Sequence, residues 1–288
     1  AVDLGRPDIW LKADEGVTES SGDIEWVDAV SSLTFDNTTT TNAFSSTTAP
    51  TFNSGDSSSN NKPYFEFTNS NQAFLSTPAN SILDQGTGAF SIVMYVRFTA
   101  LTSYTKLISK DDVNSEWALQ LHGDTGKVTT KLVGADPISD TLSSDIWYSV
   151  EWSKDSGTNT HSIYIDGTQS GTTTVASTDF NDNYGLYLGA RNHSTLPYFC
   201  NADIAEVLYY NDHELTSSER SAVSDYFEHK YSKSVAGDIA YYPTEADYTA
   251  GKSTTKKNIP IGSIVPIAKP YRIRGDKTNG TNMIGLKE

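Results

Sequence analysis

Acidic and amide side chains lie close together in two stretches of the sequence whose oxygen atoms could bind calcium. Asp111, Asp112 and Asn114 belong to the first stretch, and Asn181 and Asp182 belong to the second. Calcium prefers several oxygen ligands from carboxylates, amides and backbone carbonyls. Neither stretch has the ordered ligand spacing of a helix–loop–helix calcium site, and Asp and Asn also favour turns for backbone reasons. Asp111, Asp112 and Asn114 are therefore candidate calcium ligands, with ordinary turn chemistry as the favoured alternative, and no other cofactor is predicted.

One aromatic loop carries the residue types that bind sugars. Carbohydrate recognition uses a flat aromatic face for the sugar ring and neighbouring polar side chains for its hydroxyl groups. Tyr198 would supply the ring, with Asn192 and His193 beside it and an acidic loop nearby. The candidate carbohydrate-binding residues are Asn192, His193, Tyr198, Asn181 and Asp182. The favoured alternative is that Tyr198 and Phe199 fill the end of the fold as core residues.

The sequence lacks the side-chain combinations that most hydrolases need. A retaining glycosidase requires two carboxylates facing each other across a cleft, yet no segment carries acids in the order Glu-x-Asp-x-x-Glu. Glu151 is the one acid in a strongly aromatic strand, and we expect it to face solvent because it has no acidic partner two positions away. The five histidines show neither metal-ligand spacing nor a neighbouring nucleophile signature. We therefore predict no catalytic residues and no enzymatic activity.

Composition argues against two classes of partner. The 288 residues carry a formal net charge of −15, whereas a surface that follows nucleic acid needs local positive charge. The apolar runs are only strand-sized, so the sequence predicts no membrane span. A single cysteine, Cys200, excludes an intrachain disulfide, and we expect it to be a small buried apolar residue. Stability must therefore come from packing of the hydrophobic residues, which make up 36% of the chain.

Most of the chain has the two-residue periodicity of β-strands. Side chains alternate in character from Phe90 to Phe98, which predicts a half-buried strand. Residues 117–133 and 146–165 are predicted to form two hairpins, because alternating segments flank turns rich in Gly, Asp and Asn. Many short strands at close spacing indicate an antiparallel sandwich. The predicted fold class is all-β: an antiparallel jelly-roll β-sandwich with one C-terminal helix, followed by an extended arm.

One capped helix closes the predicted sandwich. Thr216 and Glu219 have the spacing of a capping box, in which each side chain bonds to the backbone amide of the other residue. Apolar residues then recur at helical spacing as far as Tyr231, so one helix face should pack against a sheet. The helix is predicted over residues 216–231, and it ends a first domain that spans residues 1–232.

Two polar segments depart from the strand pattern. Residues 34–61 are rich in Thr, Ser and Asn, and we expect a long surface excursion there. Residues 233–288 contain repeated Gly and Pro, which do not favour a self-contained domain. We interpret this second segment as an assembly arm that lies along its own sandwich, along another copy of the chain or along a neighbouring structural subunit. Its most apolar residues, which could add to a partner as an edge strand, are Ile259, Ile261, Ile264, Val265 and Ile267.

Several motifs, in order along the chain, resemble those of one domain family. They are the opening segment 7–17, the strands 61–67 and 90–98, the hairpin segments 147–150 and 163–167, and the closing strand and helix 203–231. Together they are similar to the laminin-G-like, concanavalin A-like lectin-glucanase jelly-roll domains of bacterial surface and phage virion proteins. The resemblance covers residues 7–231. It implies an extracellular, cell-surface or virion-surface location, with glycans as candidate ligands.

Three functional hypotheses from different classes follow. The favoured hypothesis is a non-enzymatic extracellular or virion structural protein, such as a decoration, fibre or surface-layer component, in which residues 233–288 mediate assembly. Fold resemblance is a weak basis for function, so two alternatives are kept. The first alternative is a glycan-binding adhesin, and the second is a polysaccharide-active enzyme.

Overall fold

The computed structural model describes residues 6–38, 46–101, 105–110, 117–131, 138–175, 184–193, 197–231, 240–241 and 255–256. The chain divides into two units, Ala1–Ser232 and Lys233–Glu288. Two large sheets and one helix belong to the first unit, and a two-stranded sheet belongs to the second. The apolar residues predicted for the assembly arm lie outside the described residues; they are Ile259, Ile261, Ile264, Val265 and Ile267. Their role stays a prediction.

Short strands make up most of the first unit, as the two-residue periodicity predicts. In chain order they are β1 (Ile9–Lys12), β2 (Val17–Ser20), β3 (Asp23–Val27), β4 (Thr34–Asp36), β5 (Thr51–Asn53), β6 (Tyr64–Phe67), β7 (Leu75–Thr77), β8 (Phe90–Phe98), β9 (Lys106–Ser109), β10 (Ala118–Leu121), β11 (Lys127–Lys131), β12 (Ile138–Thr141), β13 (Trp147–Asp155), β14 (Thr160–Ile165), β15 (Thr168–Thr174), β16 (Leu186–Leu188) and β17 (Ala202–Asn211). The helix α1 spans Ser217–Tyr231, and the second unit contributes β18 (Ala240–Tyr241) and β19 (Thr255–Lys256).

The strands of the first unit form two antiparallel sheets that share one hydrophobic core. Sheet 1 has the order β15-β14-β13-β8-β17-β6-β5, and β1 pairs with a further part of β17. Sheet 2 has the order β12-β11-β10-β9-β16-β7-β4-β3-β2. The predicted hairpins are present as the antiparallel pairs β10–β11 and β13–β14. The predicted all-β antiparallel sandwich with one helix near its C-terminal end is confirmed.

The longest strands, β8, β13 and β17, lie together in sheet 1 and are buried on both faces. In β8, Ile92 and Met94 point into the core between the sheets. Val93 and Tyr95 point the other way and pack in a second cluster with residues of α1. The prediction that Phe90–Phe98 is half-buried is therefore wrong, because α1 covers the face that would otherwise contact water.

Helix α1 begins as its sequence predicts. The Thr216 N–H donates to Glu219 Oε2 at 2.8 Å and the Glu219 N–H donates to the Thr216 hydroxyl at 3.3 Å, so both halves of the capping box form. Val223, Phe227 and Tyr231 are buried against the outer face of sheet 1, the face turned away from sheet 2. Among the described residues, no helix is long and apolar enough to cross a membrane.

The segment 34–61 is only in part a surface excursion, so that prediction needs correction. It supplies β4 to sheet 2 and β5 to the edge of sheet 1. Asn37 is fully buried: its side chain accepts from the Ile24 N–H at 2.8 Å and donates to the Thr47 carbonyl at 2.7 Å. Buried polar groups are stable where they find such partners. Polar composition therefore does not mean exposure here, because the polar side chains satisfy the backbone of neighbouring segments.

Gly189 lies where the chain leaves β16 and passes close to the core of sheet 1. Its φ is +78°, and a Cβ atom added there would lie 2.3 Å from the Phe67 ring. We expect Gly189→Ala to lower the free energy of unfolding by about 2–4 kcal/mol, because left-handed strain adds to steric overlap. Gly22→Ala is the control, since Gly22 has a φ of +94° with nothing within 4 Å; strain alone should cost about 1 kcal/mol. Urea denaturation measures both losses, and equal losses would contradict the predicted overlap.

Candidate functional site

The predicted carbohydrate-binding loop is closed at its neck by a backbone hydrogen bond. The Arg191 N–H donates to the Pro197 carbonyl at 2.6 Å. Asn192 and His193 directly follow Arg191, and Tyr198 directly follows Pro197. The hydrogen bond therefore brings the backbone of the three predicted residues together at this neck. All three are half-buried. The structure therefore brings together the part of the predicted sugar site that it describes.

Tyr198 combines a strained backbone with a half-buried side chain. Its φ is +47°, a left-handed conformation that is rare for a bulky residue. The Lys106 N–H donates to the Tyr198 carbonyl at 2.9 Å and ties the loop to β9. Phe199 is buried with Phe74 and Tyr187, so it fills the end of the fold as the alternative prediction has it, whereas Tyr198 stays partly exposed. Strained residues of this kind cluster at functional sites.

A buried lysine near the Tyr198 ring was missed by sequence analysis. Lys106 Nζ lies 5.6 Å from the ring centroid and donates to the side-chain oxygen of Gln120. Lys106 and Gln120 are partners across β9 and β10, so they share one face of sheet 2. This is the outer face, because Leu119 and Leu121 on either side of Gln120 point into the core. The alternation of Gln120 with these leucines is the signal that could have placed it there.

The predicted calcium ligands and one part of the sugar site lie outside the described residues. They are Asp111, Asp112, Asn114, Asn181 and Asp182. Within the parts of the chain that the structure describes, no group of three or more His, Cys, Asp or Glu residues could hold a metal ion. Calcium binding by the two acidic stretches therefore stays a prediction.

Glu151 is buried, so the prediction that it faces solvent is wrong. It lies on the outer face of sheet 1 beneath α1 and is only 2% exposed. Arg220 donates from Nε and Nη2 to its two oxygens, each at 2.8 Å, and the guanidinium lies 3.5 Å from the Tyr164 ring centroid. Burial raises the pKa of Glu151 to about 7 despite these hydrogen bonds. Through this pairing Glu151 links β13 to α1.

Glu206 is a second carboxylate buried beneath α1. Its oxygens accept hydrogen bonds from Trp10 Nε1 at 2.8 Å, from the Tyr226 hydroxyl at 2.9 Å and from the Tyr231 hydroxyl at 2.7 Å. Lys230 Nζ also donates to it. The carboxylate lies on β17, and its donors come from β1 and α1. This network therefore joins β1, β17 and α1.

A third buried carboxylate, Asp203, pairs with Arg97. Arg97 Nε and Nη2 each lie 2.6 Å from Asp203 Oδ2, and the rings of Tyr64 and Trp147 flank the guanidinium at 5.2 Å each. Burial raises the pKa of Asp203 to about 6 against the charge of Arg97. Within the described residues, Asp203 Oδ1 has no hydrogen-bond partner. Like Glu151, Asp203 is therefore paired with an arginine, and Glu66 lies directly opposite it on β6.

Two surface grooves are shallow and open. The first has a volume of about 520 Å³ and lies where the end of β1 meets the last turn of α1, with Lys12, Asp14 and Lys62 on its walls. The second has a volume of about 460 Å³ and lies between the β2–β3 hairpin and β5. Small-molecule sites are more often enclosed clefts lined by apolar side chains. Neither groove includes Tyr198.

The two packed antiparallel sheets form a lectin-like β-sandwich. A laminin-G-type family model, described as the concanavalin A-like lectin/glucanases superfamily, matches residues 67–219. The match covers more than half of the chain, so the protein belongs to this superfamily, and the resemblance deduced from the sequence is confirmed. No curated protein sequence matches the chain.

Solved structures with the same fold include binding domains and a sialidase. The botulinum neurotoxin serotype G binding domain is 16% identical with a TM-score of 0.55, covering 82% of this chain and 53% of that one. The binding domain of paraclostridial mosquitocidal protein 1 is 13% identical with a TM-score of 0.55, covering 78% and 53%. Trypanosoma rangeli sialidase is 14% identical with a TM-score of 0.55, covering 81% and 34%. The chain thus spans a third to about half of these structures, and the likeness shows the fold alone.

His161 gives the first unit a defined response to acid. It is fully buried, and its Nδ1 accepts from Trp152 Nε1 at 3.1 Å. Burial, together with the charge of Lys154, lowers the pKa of His161 from 6.5 to about 4. The unfolded chain therefore binds a proton at His161 at a higher pH than the folded protein does. Acidification from about pH 6.5 to pH 4 should favour unfolding through this residue.

We expect His161→Gln to remove this acid sensitivity. As the pH falls from about 6.5 to 4, the free energy of unfolding of the variant, relative to that of the unmodified protein, should rise by about 1.4 kcal/mol for each pH unit. Urea denaturation at several pH values measures the difference. His229→Gln is the matched control, because it makes the same substitution at an exposed histidine on α1. A pH-independent difference for His161→Gln would rule out a neutral buried imidazole.

Proposed function

We propose that the protein is a non-enzymatic, extracellular component of a cell or virion surface whose lectin-like sandwich recognises a glycan. The observation that carries this proposal is Tyr198, a half-buried aromatic residue in a strained conformation beside Asn192 and His193. An aromatic face can stack on a sugar ring, and amide and imidazole groups can bond to its hydroxyl groups. The binding domains of two toxins share the fold, which supports a recognition role.

The position of the site favours an extended ligand. The loop neck between Arg191 and Pro197 lies on the rim of sheet 2 and is anchored from below by Lys106. Neither surface groove reaches Tyr198. Because Tyr198 is only half-buried, a ligand at this rim would keep part of its surface in water. The end or a branch of a longer glycan fits this requirement better than a small metabolite, which is usually enclosed.

The buried carboxylates support a non-enzymatic role. Glu151, Glu206 and Asp203 are each engaged by a cation, and each lies beneath other side chains. A glycosidase needs two carboxyl groups that face a substrate together. The likeness to the sialidase covers about a third of that enzyme's chain at 14% identity, so it transfers no catalytic residue to this protein.

A structural role is the second candidate. The ion pairs beneath α1 tie strands and helix into one unit, and this suits a domain that serves as a building block of a virion or surface layer. In this role, residues 233–288 would act as the assembly arm, and the partners would be further copies of the chain or neighbouring subunits. The arm and the sugar site belong to different units of the chain.

We expect Tyr198→Ala and Tyr198→Gly to abolish or weaken glycan binding at least about tenfold, because stacking on the ring is lost; tenfold corresponds to about 1.4 kcal/mol. The glycine variant should also be about 1 kcal/mol more stable than the alanine variant, since glycine adopts a positive φ without strain. A glycan array followed by titration measures binding, and urea denaturation measures stability. Tyr148→Ala is the control, because Tyr148 is a half-buried tyrosine on β13.

Two results would contradict the proposed function. If the full chain binds no glycan, or if both Tyr198 variants bind as well as the unmodified protein, Tyr198 is not the recognition site. Incubation with polysaccharides and with sialic acid conjugates should release no sugar. Release of product above the buffer blank would overturn the non-enzymatic assignment.

Removing residues 233–288 tests the structural candidate. We expect the full chain to be an oligomer and a chain ending at Ser232 to be a monomer, because the arm is proposed to bind a neighbouring copy. Light scattering at matched concentrations gives both masses, and circular dichroism checks that the shorter chain folds. If the folded shorter chain keeps the same number of subunits, the arm does not mediate assembly.

A further inference from the structure

Lys230 lies between two carboxylates, one partly exposed and one fully buried. Its Nζ is 2.8 Å from Asp14 Oδ1 and also donates to Glu206 Oε1. The side chain of Glu206 is 0% exposed, that of Lys230 is 12% exposed and that of Asp14 is 32% exposed. We propose that these three residues form a self-modifying site, in which Lys230 and Asp14 become joined by an amide bond with Glu206 as the catalytic residue.

The positions of the reacting atoms support this step. Asp14 Oδ1 is one bond from the carboxyl carbon, so Lys230 Nζ lies within roughly 4 Å of the carbon that it must attack. Reacting atoms in a near-attack conformation are about 3–3.5 Å apart, so only a small movement is needed. One hydrogen bond holds the backbone next to Asp14, and another holds the backbone carbonyl of Lys230. The Ala13 N–H donates to the Ala205 carbonyl at 3.0 Å, and the Asn60 side chain donates to the Lys230 carbonyl at 3.2 Å. Such fixation replaces an encounter between free groups by a unimolecular step.

The reaction balances without a co-reactant. Starting from the ion pair, Lys230 Nζ gives up two protons and forms a bond to the carboxyl carbon of Asp14. The carbon–oxygen bond of the departing oxygen breaks, and that oxygen leaves with both protons as water. Glu206 accepts a proton from Nζ and returns it to the departing oxygen, which is general acid–base catalysis by a positioned carboxylate. No oxidant, metal or nucleotide is required.

Aromatic rings lie on one side of Lys230, and the open groove lies on the other. Nζ lies 5.7 Å from the Tyr226 ring centroid and 5.3 Å from that of Tyr231. The hydroxyl groups of the same two tyrosines, with Trp10 Nε1, hold the Glu206 carboxylate in place. Asp14 lines the open groove at the end of β1, through which the released water can leave.

A second lysine–carboxylate pair in the same groove supplies an internal comparison. Lys12 contacts Glu15, whose side chain is 59% exposed. Among the described contacts of this pair there is no buried carboxylate that could relay a proton. Lys12 lies directly opposite Glu206 in the β1–β17 pairing, but among the described contacts of the two lysines only Lys230 Nζ donates to that carboxylate, so the comparison tests this contact. Lys12 and Glu15 should therefore remain unlinked.

Mass spectrometry of the full chain tests the proposal. After incubation of the folded protein, the denatured chain should weigh less than its sequence mass by one water molecule, about 18 Da. A tryptic digest should contain one peptide pair joined through Asp14 and Lys230. Lys230→Arg and Asp14→Ala should restore the full mass, whereas Lys12→Arg should still lose water. Asp14→Asn should lose ammonia instead, about 17 Da, because the amide nitrogen becomes the leaving group.

Three outcomes would overturn the proposal. The first is a full sequence mass with Asp14 and Lys230 in separate peptides. The second is a loss of water that persists in Lys230→Arg, which would place the modification elsewhere. The third concerns Glu206 alone: a folded Glu206→Gln variant that links as completely as the unmodified protein removes its catalytic role. If Glu206→Gln does not fold, the linking rate of Glu206→Asp is measured instead. An unchanged rate with this shortened carboxylate would exclude a proton relay that depends on the position of Glu206.

Discussion

The position of α1 depends on the burial of one carboxylate. A charged group that leaves water loses its hydration, so it is stable in a fold only where other donors replace that water. Glu206 on β17 receives its donors from Trp10 on β1 and from Tyr226, Lys230 and Tyr231 on α1. β1, β17 and α1 must therefore come together as one unit, because without any one of them the Glu206 charge would lack some of its hydrogen-bond donors.

The same requirement explains the positions of two arginines in this acidic chain. The net charge is −15, yet Arg220 and Arg97 are placed beside buried acids instead of on the surface. Arg220 bonds to Glu151 through two parallel contacts, a geometry that fixes direction as well as distance. Between these ion pairs the outer face of sheet 1 is apolar and contacts Phe227. The contacts of Arg220 with Glu151 and of Lys230 with Glu206 thus attach α1 to the sheet at two points, on either side of its apolar contacts.

Local features of this fold could be predicted from sequence, and long-range ones could not. The start of α1 follows from residues three positions apart, and the loop neck brings Tyr198 to residues that are near it in the chain. Glu151 was misplaced because its partner Arg220 is 69 positions away, and nothing in its own strand shows that a helix covers it. Lys106 was missed for the same reason, since its position near Tyr198 depends on strand pairing. Alternation predicts which side chains share a face, but not what covers that face.

The pairing of β1 with β17 determines how the first unit responds to tension. The chain enters β1 at Ile9, which lies opposite Tyr209, and β1 ends at Lys12 opposite Glu206. The last turn of α1 lies at this second end, because Tyr231 also contacts Glu206. A force that pulls Pro7 and Tyr231 apart therefore acts along the axis of β1. The hydrogen bonds between β1 and β17 are therefore loaded together in shear and cannot open one after another. The rate of forced unfolding, and not the equilibrium stability, then determines how long the domain stays folded under load.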